Sequence, residues 1–249
     1  MAPIDVEKEF FTCRQEDDVA VIKPLKGALN IFTTVDSKED LLSVIESIRD
    51  SKSIKGAVIL YSDQYPGNAE YKRMLLDSIE KKEFEDPTQF TIALNQFLEV
   101  IREFPKPIIG GLNGGIGPYS FGLNLALDLR IATTSVVIHN PNLLIGIPPS
   151  PLLSFFLVQS LGSPLTTELL LTKSEIDYSE ALDLRLIHKV VSAEELESAC
   201  LEKLRELSRI PSQTLVETRR LLQPGMNELR SHIDATTKSA KKVVYRMTH

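Results

Sequence analysis

Two short apolar runs, Val19 to Ile22 ("VAVI") and Gly56 to Leu60 ("GAVIL"), flank a stretch in which Leu41, Leu42, Val44, Ile45 and Ile48 recur at helical spacing. Runs rich in β-branched residues suit buried strands, and the apolar stripe between them suits a helix laid across those strands. Ser37 or Asp36 is available as its cap. Strand, crossover helix, strand is a parallel unit, and a parallel sheet has to be covered on both faces. An α/β class follows from that requirement.

The remaining chain extends the pattern. "FTIALNQFLEVIREFP" reads as an amphipathic helix stopped by Pro105, and after it come the apolar run "PIIGGL", a glycine-rich turn, the helix-like "FGLNLALDL" and the strand-like "RIATTSVVI". Beyond "SPLLSFFLVQSLG" and "SPLTTELLLT" the character changes, with two long charged helices expected from Ser192 onward. The organisation expected is an α/β core over residues 1–190 with a helical C-terminal region over 191–249.

Composition narrows the function classes. A chain of 249 residues with 43% hydrophobic side chains is long enough to bury one large core. A net charge of −6 supplies no positive field to recruit nucleic acid or an anionic membrane, and the lack of tryptophan leaves few rings for base stacking. The N-terminus lacks the basic start and apolar core of a signal peptide, and no run approaches the ~18 apolar residues of a membrane span. Two distant cysteines, Cys13 and Cys200, fit a reducing cytoplasm better than a disulfide framework. No metal-ligand pattern stands out.

Asn113 to Ala132, "NGGIGPYSFGLNLALDLRIA", concentrates small residues between a strand and a helix. A dinucleotide fingerprint fails because its third glycine would be Ser120, and no phosphate-loop lysine follows. "PYSFG" lies near the G-x-S-x-G serine elbow, with Ser120 as nucleophile and Asp183 and His188 in the right order, although Pro118 breaks the motif and His188 sits at a helix-to-strand junction. The third use is an oxyanion pocket, where backbone N–H groups at a helix start face a carbonyl oxygen that gains charge.

The order of motifs resembles the crotonase (enoyl-CoA hydratase/isomerase) family along nearly the whole chain. "VAVIKPLKGALN" looks like its first strand and adenine-side loop, "YPGNAEYK" like F-S-A-G-A-D-L-K, and "KPIIGGLNG" like K-P-x-I-A-A-V-N-G. "LALDLRIATTSVVI" is similar to the helix ending in Asp and the strand that follows it. The resemblance implies a crotonase-like spiral of β-β-α units and a C-terminal region that packs in a homotrimer or homohexamer. It also implies an acyl-CoA thioester as substrate, with coenzyme A carried by the substrate and no covalently bound cofactor. The N–H groups of Ala69 and Tyr119 would polarise the thioester carbonyl. Lys72 would approach the CoA phosphates, and Lys26, Ala28 and Leu29 would border the adenine.

The chain departs from that family at the acids. The place of the first catalytic glutamate is Gly122 and that of the second is Asn142, while the glycine triplet around the second oxyanion donor reads Pro118-Tyr119-Ser120. Glycine transfers no proton, and an amide is no base near neutral pH. Gly122 leaves room for something larger in the pocket. His139, three residues before Asn142, is the remaining group with an ordinary pKa near neutrality. The expectation is an isomerase, decarboxylase or thioester hydrolase rather than a hydratase, working in fatty acid metabolism. A catalytically inactive acyl-CoA-binding or scaffolding homologue is the second expectation, and a serine hydrolase using Ser120 the third.

Overall fold

The structure, a computed structural model, describes residues 4–25, 35–63, 65–73, 87–222 and 225–248. Strands β1 (Asp5–Glu7), β2 (Phe11–Glu16) and β3 (Val19–Pro24) form an antiparallel start, followed by α1 (Val35–Asp50) and β4 (Gly56–Ser62). β3 and β4 run parallel with Val21 opposite Val58, which is the strand–helix–strand unit expected from the apolar runs. Next come α2 (Pro87–Arg102), β5 (Ile108–Asn113), β6 (Gly115–Ile116), α3 (Pro118–Leu125), β7 (Leu129–Thr133) and β8 (Val137–His139). The chain continues through α4 (Asn142–Ile145), α5 (Pro151–Thr172), β9 (Glu175–Asp177), α6 (Tyr178–Asp183) and β10 (Lys189–Val191). Three helices follow: α7 (Leu196–Leu207), α8 (Ser212–Leu222) and α9 (Met226–Thr248).

Seven strands pair in the order β1-β2-β3-β4-β5-β7-β10, and β6-β8-β9 make a smaller sheet beside them. Alternation along the strands divides the large sheet's side chains between two cores. Ala20, Ile22, Ala57, Ile59, Ile108 and Leu112 belong to the larger core, with α1, α2 and α5. Val19, Val58, Ile109 and Ile131 pack against Leu196, Ala199, Cys200 and Leu204 of α7, so the C-terminal region covers one face of the sheet. Burying Leu196 and Leu204 there contributes roughly 2 kcal/mol each. Cys13 lies in the first core and Cys200 in the second, and both are free thiols.

Two elements differ from the sequence expectation. "RIATTSVVI" is not one strand: the Val136 N–H turns back to the Thr133 carbonyl at 3.2 Å, sending β7 to the large sheet and β8 to the small one. The charged segment after Ser192 makes three helices instead of two, because Pro211 stands just before α8 and Gly225 just before α9. No helix among the described residues is long and apolar enough to cross a membrane.

Candidate active site

The Asn113-Gly114 turn ends β5 and sets the direction of everything after it. Gly114 has φ of 70°, the left-handed region where glycine carries no Cβ penalty. The Asn113 side-chain oxygen accepts hydrogen bonds from Thr133 Oγ1 and Ser135 Oγ, each at 2.8 Å, and the Asp63 carboxylate accepts the Gly115 N–H at 3.1 Å. So fixed, the chain runs through β6 into α3. Gly117 caps that helix, its carbonyl receiving the Phe121 N–H at 2.9 Å. Pro118 is then the first helical residue and Tyr119 the second.

The same opening hydrogen bond recurs at Gly67, whose carbonyl receives the Tyr71 N–H at 2.9 Å, although its φ is 94° where that of Gly117 is −78°. Asn68 and Ala69 are the first two residues of the helical turns at 68–73. Ala69 and Tyr119 therefore hold equivalent places in two helix starts, where N–H groups point away from the helix and the dipole is positive. Tyr65 brings the two starts together. Its N–H donates to the Gly115 carbonyl at 3.1 Å, and its hydroxyl donates to Asn68 Oδ1.

Between these starts lies a group of uncharged rings and aliphatic side chains. Tyr71, Ile145 and Ile147 form a buried cluster with Tyr65 and Tyr119 packed against it. Burial pushes the phenols of Tyr65 and Tyr119 up to about 12 and that of Tyr71 well above its ordinary value, so all three are protonated near neutral pH. Asn142 opens α4 and is 1% exposed, with its side-chain amide donating to the Pro148 carbonyl at 2.7 Å. Among the described residues neither Asn142 Oδ1 nor the Tyr71 hydroxyl has a hydrogen-bond partner of normal geometry, although the Asn142 amide beside it offsets part of the rise in the Tyr71 pKa. Nothing in the sequence signalled Tyr71, since its place in this cluster depends on folding α4 back over the 68–73 turn.

His139 stacks on Tyr65 with ring centroids 4.0 Å apart and planes 18° from parallel. Its Nδ1 lies 3.2 Å from Glu175 Oε1, and burial lowers its pKa while the carboxylate opposes that shift. Asn140 is structural, its amide donating to the Leu170 and Lys173 carbonyls at 3.3 and 2.9 Å. Lys72 lies half-buried in the 68–73 turn, and Glu70 pairs at 3.8 Å with Arg73 at the surface. Lys26, Ala28 and Leu29 fall outside the described residues.

Two expectations at α3 need correction. Gly122 leaves no room: a Cβ there would sit 2.6 Å from Leu152 Cβ and 2.9 Å from the Leu153 nitrogen, because α5 packs directly on the helix backbone. The serine-elbow geometry lacks its base. Ser120 is buried and lines an apolar cavity of about 50 Å³ with Tyr61, Phe97 and Phe104. The His188 Nδ1 instead accepts the Arg130 N–H at 3.1 Å, and the His232 Nε2 meets Ser154 Oγ at 2.9 Å. No hydrogen bond among the described residues joins Ser120 to a histidine. Nor does any group of three or more His, Cys, Asp or Glu among them make a metal site.

Comparison with known proteins gives a consistent picture. The family model described as "Enoyl-CoA hydratase/isomerase" matches residues 14–246. Methylmalonyl-CoA decarboxylase of Escherichia coli is 29% identical over 123 residues, covering 49% of this chain and 47% of that protein. 4-Chlorobenzoyl coenzyme A dehalogenase-1 of Arthrobacter sp is 28% identical over 133 residues, covering 53% and 48%. The chain thus spans about half the length of these curated relatives. A crystal structure of enoyl-CoA hydratase from Bacillus halodurans shares the fold, with a TM-score of 0.75 at 22% identity over 94% of this chain and 95% of that one.

Proposed function

The chain belongs to the enoyl-CoA hydratase/isomerase family, and from that premise we propose that it binds an acyl-CoA thioester and stabilises an enolate through the N–H groups of Ala69 and Tyr119. The observation that carries the reading is the pair of equivalent helix starts capped by Gly67 and Gly117 and joined through Tyr65. Two preorganised donors on the thioester oxygen are worth more in the enolate than in the ground state, so they lower the barrier and not merely the KM. Lys72 is the proposed contact for the CoA phosphates, and the assembly is proposed to be a homotrimer or homohexamer.

Among the routes to an enolate, decarboxylation best fits a site whose two carboxylate positions are Gly122 and Asn142. Isomerisation needs a base to remove a proton, and hydration by the two-carboxylate route needs an acid and a base, yet Gly122 and Asn142 occupy the acid positions. A malonyl-type thioester needs neither. Its Cα–carboxylate bond breaks, the electron pair passes to the thioester oxygen held by the two amides, carbon dioxide leaves, and the α-carbon takes a proton from solvent. The likeness to a methylmalonyl-CoA decarboxylase supports this choice.

The test is turnover of malonyl-CoA, methylmalonyl-CoA and crotonyl-CoA followed by mass spectrometry. Loss of carbon dioxide from a malonyl-type thioester with no hydration of crotonyl-CoA is the expected result, and the reverse preference overturns it. A second reading, a non-catalytic acyl-CoA binder, is favoured by the packing of Tyr65 and Tyr119 on the buried Tyr71. It requires CoA binding by calorimetry with no turnover of any of the three thioesters.

A further inference from the structure

We infer that Tyr65 is a positioning residue that holds the Ala69 helix start in register with the Tyr119 helix start; the inference rests on the reading of those two amides as the oxyanion donors. Four contacts made by this one residue point to it. The Tyr65 N–H is bonded to Gly115 at 3.1 Å, at the head of the segment leading into α3. Its ring lies so close to the α3 cap that a Cβ on Gly117 would stand 3.4 Å from Tyr65 Cδ2. Its hydroxyl is bonded to Asn68, the residue before Ala69. Its ring is backed by His139 at 4.0 Å, and His139 is held by Glu175 at 3.2 Å.

The need for such a device is visible in the exposure of the first helix start. Asn68, Ala69 and Glu70 are all exposed, whereas Gly117 and Pro118 are buried. One donor therefore sits in packed surroundings and the other on the surface, where few contacts restrain it. Two donors act together only if they converge on one oxygen, and displacement of about 1 Å is enough to cost up to ~100-fold in rate. Tyr65 spans the two environments. Its side chain bonds to the exposed start while its backbone and ring are seated on the buried one.

The experiment compares wild type, Tyr65→Phe, Asn68→Ala and the double variant in the full-length chain. Phenylalanine keeps the stack on His139 and removes only the hydroxyl, and Asn68 is a surface position, so folding is checked simply by thermal melting. The direct readout is the carbonyl stretch of bound butyryl-CoA labelled with carbon-13 at the thioester, since donors on that oxygen shift it to lower frequency. Turnover on the accepted thioester is the second readout. Each single variant is expected to lose part of the shift and about 10-fold in kcat with KM little changed. The double variant should be no worse than either single one, as for two groups acting through one bond. An unchanged carbonyl frequency in both single variants, or losses that multiply in the double variant, overturns the role of Tyr65. Absence of any shift in wild type is a different outcome: it removes the donor reading itself, and Tyr65 with it.

Discussion

Arg219 grips Asp128 with two parallel bonds, Nε to Oδ1 at 2.7 Å and Nη2 to Oδ2 at 2.6 Å. Asp128 closes the turn after α3 and also accepts the Ile108 N–H at 2.7 Å, while the remaining guanidinium donors reach the Phe104 and Lys106 carbonyls. Helix α8 is thereby tied to the start of β5. Because both partners are nearly buried, with 6% and 12% of their side chains exposed, removing one strands the other. Arg219→Ala or Asp128→Ala should cost about 3–5 kcal/mol in urea unfolding. Arg219→Lys should recover little, since one ammonium cannot make the fork. A loss under about 1 kcal/mol in Arg219→Ala would mean that water replaces the guanidinium at no penalty.

Restoring a glutamate at position 122 should fail. The contact between the Gly122 backbone and Leu152 leaves a Cβ only 2.6 Å from its neighbour, and that neighbour is the root of a side chain and cannot swing away. Gly122→Ala is expected to destabilise by roughly 1–3 kcal/mol through overpacking. Gly122→Glu should lower the melting temperature further and yield no hydration of crotonyl-CoA. Gain of hydratase activity in that variant would show that α5 moves aside.

Asn142 and His139 locate the chemistry. Asn142→Ala removes the donor of the half-buried Pro148 carbonyl, costing about 1 kcal/mol of stability. Both Asn142→Ala and His139→Ala should reduce turnover at least ~10-fold, read as kcat on the accepted thioester. If both variants keep the wild-type rate, the reaction does not take place beside α4 and β8.

Acid should weaken the fold through His188. Burial, together with the Arg130 and Arg185 charges, lowers its pKa from an ordinary 6.5 to about 4, and its Nδ1 must remain unprotonated to accept the Arg130 N–H. The unfolded chain therefore takes up this proton first as pH falls. The contribution is whole above pH 6.5, declines as pH drops toward 4 and is gone below that. Since His188 is partly open to solvent, screening holds the loss to about 1 kcal/mol or less. The loss of stability between pH 7 and pH 4.5 in urea titrations should be smaller in His188→Asn, which keeps an acceptor, than in wild type by about this amount. An equal slope in wild type and variant would assign acid sensitivity elsewhere.

Local patterns in the sequence carried the strands and helices of the parallel core. β-Branched runs reported β3 and β4, the spacing of Leu41 to Ile48 reported α1, and Pro105 marked the end of α2 within a few residues. The Asn113-Gly114 turn was equally legible because only glycine is at ease at its φ. What escaped is set by contacts distant in sequence. Leu152 closing on Gly122 and Tyr71 meeting Asn142 join segments 30 or more residues apart, and no periodicity encodes either meeting. The missing carboxylates at positions 122 and 142 could be read directly, but the space at 122 could not.

The covering of Val19, Val58, Ile109 and Ile131 by α7 has a consequence for biosynthesis. Those four side chains are made well before Leu196 to Leu204, so a growing chain holds a half-clothed sheet until α7 emerges. Its cooperative closure waits for α7, and nascent chains stalled before that helix are the ones that chaperones should retain.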